Sequence, residues 1–72
     1  MTAEQLDAAI RAATVRRDSA ALAVHYASAA EMTPNEEAAA FLRTQAYIFA
    51  LEAGHPFAHA LFVRLRRDGR EK

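Results

Sequence analysis

From Thr33 to Leu65 the chain reads TPNEEAAAFLRTQAYIFALEAGHPFAHALFVRL, with its centre at Phe41, Leu42, Tyr47, Ile48, Phe49 and Leu51. Gly54-His55-Pro56 follows, and then Phe57, Leu61, Phe62 and Leu65. Two apolar runs at three-to-four spacing, punctuated by glycine and proline, read as two helices folded back on each other. All four phenylalanines lie inside this stretch, so the core is expected to centre here.

The front of the stretch carries a helix start. Thr33 is read as the N-cap, Pro34 as the first helical residue, Glu36 as the return half of a capping box and Glu37 as a favourable charge at the dipole's positive end. The helix so opened is expected to run to Ala53, with Gly54 left-handed just past its end and Pro56 in the first turn of the next helix. By helical count, Phe41, Leu42, Gln45, Ile48, Phe49 and Glu52 form one face, and Ala40, Thr44, Tyr47 and Leu51 another. A helix apolar over most of its circumference is packed on more than one side, which places it mid-array. The last helix has the cleanest stripe, Phe57, Ala58, Leu61, Phe62 and Leu65. Arg64, Arg66 and Arg67 load its final turn, where cations suit the dipole, and Asp68-Gly69 ends it. Residues 68–72 are expected to fray.

Outward toward the N-terminus, alanine dominates and glycine and proline occur only twice each in the whole chain, which favours helix throughout. Thr2 followed by Gln5 has capping-box spacing, so a first helix is expected to start near Thr2 or Ala3, with Leu6, Ala9, Ile10 and Ala13 on one face. The Arg16-Arg17-Asp18-Ser19 cluster is the expected break, with Asp18 or Ser19 able to cap a second helix. There Leu22, Tyr26, Ala29 and Ala30 make a stripe, Val24 lies to one side, and the alanines permit close helix approach. That surface is mostly methyl groups, worth little at roughly 25 cal/mol per Å².

The 72 residues make one small helical domain, 1–72, of a size that buries only ~60% of the surface its unfolded chain exposes. The absence of cysteine removes disulfides and thiolate metal sites and fits a reducing compartment. The start, Met1-Thr2-Ala3-Glu4-Gln5, has no basic and apolar leader pattern. The longest uncharged apolar run, Ala46 to Leu51, is far short of the ~20 residues of a membrane span, so a cytoplasmic, non-membrane protein is expected. Nine basic residues balance nine acidic ones. From Arg64 onward, however, five basic residues face two acidic ones, which leaves a basic end on a mildly acidic body.

Four helices with a proline between the pairs invite a search for a repeat. Taking Ala3 to Glu36 as one unit, Tyr26, Ala29 and Pro34 match the aromatic, small and proline positions that close a tetratricopeptide repeat. In a second unit Tyr47 and Gly54 resemble that repeat's tyrosine and turn glycine, and Ala58 and Phe62 its alanine and aromatic. The chain thus resembles a degenerate pair of tetratricopeptide-type hairpins over nearly its whole length. It departs from the pattern in about two extra residues before Ala58, in Arg43 where leucine is usual, and in lacking a tryptophan or a leucine-glycine pair. The fold expected is all-α, four helices as two antiparallel helical hairpins, tetratricopeptide-like or a small four-helix array. The resemblance implies a peptide- or protein-binding surface without catalysis.

Chemistry-bearing motifs are sparse. His55 and His59 are four apart and Glu52 precedes them, but His55 sits at a cap between Gly54 and Pro56 and no glutamate stands between the histidines, so no metal is expected. His25 is read as a partly buried amphipathic residue. There is no nucleophile constellation or phosphate-cradling loop, and no cofactor or enzymatic activity is expected. Solenoid repeats bury their apolar faces against neighbours, and two units leave one side open. A protein partner, or self-association into a homo-oligomer, is therefore expected to cover Phe41, Gln45, Ile48 and Phe49, in a small adaptor or regulatory subunit. The alternative is a nucleic-acid-associated regulator using Arg64, Arg67 and Arg70 on phosphates, although no aromatic platform for bases is interleaved with them. Membrane-surface attachment by the last helix ranks below both, because its apolar stripe is needed for the core.

Overall fold

Among the described residues four α-helices follow one another: α1 (Ala3–Arg16), α2 (Ser19–Glu31), α3 (Glu36–Ala53) and α4 (Phe57–Arg67). This computed structural model describes residues 1–67 and Gly69. Asp68, Arg70, Glu71 and Lys72 lie outside the described residues, and with them the frayed end expected for 68–72 and the place of Arg70; so does the side chain of Phe57. No strand occurs among the described residues, and the all-α expectation holds.

Each helix end has a local cause. At α1 the capping box closes both ways, Gln5 N–H donating to Thr2 Oγ1 at 3.1 Å and Thr2 N–H to Gln5 Oε1 at 2.8 Å. Its far end turns at Arg17, held left-handed at φ 55°, while the Asp18 N–H reaches back to the Ala13 carbonyl at 2.9 Å. Asp18 then caps α2 by accepting from the Ala21 N–H at 3.1 Å. The end of α3 repeats the same turn with the residue best suited to it. Gly54 sits at φ 63°, and the His55 N–H donates to the Ala50 carbonyl at 2.8 Å.

The start of α3 corrects the expectation for Thr33. The N-cap is Asn35, whose Oδ1 accepts from the Ala38 N–H at 2.9 Å. Glu36 is therefore the first helical residue and returns no capping box. The Thr33 hydroxyl instead donates backward to the Ala29 carbonyl at 2.7 Å, closing the end of α2. Both Thr33 and Asn35 are competent caps, and the turn made by Met32 to Pro34 decides between them.

Close backbone approach among the described residues is confined to helices adjacent in sequence, and α2 against α3 is by far the most extensive. The Cα trace spans 32 × 28 × 14 Å. The short dimension fits two helix layers at the usual separation of about 8–10 Å and no third, so every helix keeps a side to solvent. The centre is built mostly from alanine, Ala23, Ala46 and Ala50 together with Leu61, and Tyr26, Ala27, Tyr47, Phe49 and Ala58 pack around them. Ala13, Ala30, Ala39 and Ala40 are buried as well, and among the described residues Leu65 is the largest side chain fully enclosed. The core expected from the phenylalanines is thus an alanine core with aromatics at its edge: Phe49 stacks on Tyr26 at 5.6 Å and Phe62 meets Tyr47 at 5.8 Å, while Phe41 stands outside.

Candidate interaction surface

Helix α3 places the candidate residues, and its 3.6-residue period explains where each goes. Ala39, Ala46 and Ala50 line the buried side. Phe41 and Ile48, about half a turn away around the axis, point outward and are 62% and 47% exposed. Gln45 lies between them, half-buried. Phe49 lies nearer the seam, half-buried against the core with its ring parallel to Tyr26. The four residues therefore divide. Phe41, Gln45 and Ile48 form an outward strip, and Phe49 is a packing residue beside it.

The strip continues around α3 into a groove. Leu51, also exposed, lines a cleft of about 310 Å³ between α3 and α4 together with Tyr47, Ala58, His59 and Phe62. The sequence sets Tyr47 and Leu51 on one face of α3 but does not show this groove, because periodicity assigns faces of one helix and not the gap beside a neighbour. At its two ends the strip is acidic. Glu37 precedes Phe41 by four residues and Glu52 follows Ile48 by four, so both fall on the same line. The Ser19 hydroxyl donates to Glu52 Oε1 at 3.0 Å, tying the start of α2 to the end of α3.

A second cleft, of about 330 Å³, lies where α2, α3 and α4 meet, with Val24, Ala27, Glu31, Arg43, Leu61 and Arg64 on its walls. Arg43 is the one charged residue in the buried set among the described residues, at 6% exposure. The long Arg43 side chain lines this cleft from α3. The basic end divides at this point. Arg64 turns into the cleft and is half-buried, Arg66 and Arg67 are exposed, and Arg70 lies outside the described residues. The expected Arg64 and Arg67 pair is thus split between a helix junction and solvent.

Among the described residues no three acidic or histidine side chains are grouped to hold a metal ion, and no helix is long and apolar enough to cross a membrane. Glu52, which precedes His55 and His59 in the sequence, is engaged with Ser19. Compared with protein families, with curated proteins and with solved structures, the chain matches none.

Proposed function

We propose that this protein is a small protein-interaction module, an adaptor or regulatory subunit without catalytic activity of its own, and that it works through the outward strip of α3. The observation that carries this reading is the exposure of Phe41 and Ile48, two large apolar side chains two turns apart on a helix whose opposite side is filled with alanine. Large apolar groups left outside a thin array next to an apolar groove mark a contact surface more often than a scattered leucine does. Gln45 completes the strip and Phe49 supports it from the side.

The finer reading is of two tetratricopeptide-like hairpins. It is supported in the second hairpin, where Tyr47 and Phe62, two residues that carry the resemblance, touch across α3 and α4 above the left-handed Gly54. The nucleic-acid alternative ranks lower, because Arg64 faces a cleft and only Arg66 and Arg67 remain as exposed cations of α4.

The test compares wild type with Phe41→Ser and Ile48→Ser for capture of protein from nuclease-treated lysate at moderate salt. Loss of a defined captured protein in both variants, with helical circular dichroism unchanged, is the expected result. Capture that survives both substitutions, or that vanishes for wild type after nuclease, overturns it.

A further inference from the structure

The first and last helices leave faces that fit each other: we infer that a second copy of this chain docks the outer face of its α1 on the outer face of α4. This self-contact is separate from the α3 strip and uses neither Phe41 nor Ile48. Among the described residues α1 packs only against α2, and α4 only against α3, so each of the two keeps its far side uncovered. By the helical period Glu4, Ala8 and Val15 lie opposite the buried Leu6 and Ala13 of α1. Val63, Arg66 and Arg67 lie opposite the buried Leu61 and Leu65 of α4 in the same way. All six outer residues are exposed.

Charge and register choose the occupant. Helix α4, FAHALFVRLRR, carries three arginines and no acidic residue. Arg66 and Arg67 form no ion pair among the described residues, and neither does Glu4 on α1. Short turns reverse the chain between successive helices, so α1 and α4 run in opposite directions. When α1 of a second copy continues that alternation beside α4, its start lies against the end of α4. With Arg67 set against Glu4 of the second copy, Val63, four residues back along α4, stands over Ala8, four residues on along α1. Seven residues further in each chain, Val15 comes beside the turn at Pro56, and Val15 is the most exposed large apolar residue among those described. A single register thus matches charge with opposite charge and apolar with apolar, and Ala8 leaves room for the two backbones to close. Like faces do not match in this way. Two α4 faces offer each other no carboxylate, and two α1 faces have only Arg11 as a cation on the outer line, already bridged to Asp7 at 3.2 Å.

Sedimentation equilibrium of the full chain at low salt tests the contact, and the mass is expected to rise with concentration. Glu4→Arg alone, and Arg66→Glu with Arg67→Glu together, should each weaken self-association by about tenfold or more, with helical circular dichroism unchanged. Each variant by itself sets like charges against each other at every contact. Mixed in equal amounts, the α1 of one matches the α4 of the other, and association should return. Added salt should weaken wild type and mixture alike. A chain that stays monomeric at every concentration overturns the inference, as does association that survives either charge reversal, or a mixture that fails to recover it. Phe41→Ser is expected to leave the mass unchanged. If it abolishes self-association instead, the α3 strip is where copies meet and the α1-to-α4 contact is overturned, while the interaction reading of α3 stands.

Discussion

The side of α3 that meets α2 presents Ala39, Ala46 and Ala50, whereas the side turned to solvent presents Phe41 and Ile48. Within one helix the smaller apolar residues are inside and larger ones are outside. Methyl groups at a helix seam let two backbones approach, so that each wall contributes main-chain and Cβ contacts where bulky side chains would hold the axes apart. The seam then closes by fit, with modest apolar area removed from water. The outward strip has the opposite properties, ample apolar area and no neighbour. The contrast teaches that in this protein apolar bulk is a poor guide to burial, and that what is left outside is the surface available for binding.

The comparison makes predictions of decreasing size. Among the described residues Leu65 is the one large side chain fully enclosed. Leu65→Ala should therefore cost about 2–5 kcal/mol, read from the midpoint of urea unfolding, and a cost near zero would show that α4 adds little to the core. Ala46 is fully buried where α2 meets α3. Enlarging it with Ala46→Leu should destabilise by about 1–3 kcal/mol; stabilisation would mean that the seam is loose and that alanine is not there for close approach. Asn35→Ala should cost about 1 kcal/mol through the lost cap, and more than Thr33→Ala, whose hydroxyl only bonds back to the Ala29 carbonyl. The reverse order would put the start of α3 at Thr33 after all. Phe41→Ser should change stability by no more than about 0.5 kcal/mol, as surface substitutions do, while removing partner binding. A large loss of stability would show that Phe41 is packed and would end the distinction between the two sides of α3.

Helix boundaries were legible where one residue alone had the right chemistry, as Thr2 with Gln5 and Gly54 did, and each satisfies an orphan backbone group in the structure. Of the two caps open for α2, Asp18 and Ser19, the structure takes Asp18. Between α2 and α3 two caps lay two residues apart, and the choice rested on how the turn brings α3 back against α2, which local spacing does not encode. Arg17 was equally hidden. It lay inside the expected break, but nothing in its side chain signals a left-handed backbone, which the capping geometry of Asp18 and the return of α2 impose on it. Of the candidate site, Phe41 and Ile48 were readable as neighbours on one face from their separation of seven. Phe49 is one residue beyond Ile48, about 100° further around the helix, and only its stacking on Tyr26 shows which side of the strip's edge it occupies.

Composition, caps and periodicity by themselves determined the helices of the described residues and their order, because these depend on interactions within a turn or two of the chain. Tertiary structure alone decided that α2 and α3 pair through alanine, that Arg43 and Arg64 line a cleft between helices, and that Phe41 and Ile48 are left outside. Which side of an all-round apolar helix is covered depends on the shape and distance of its neighbours, and no residue carries that information until the helices have met.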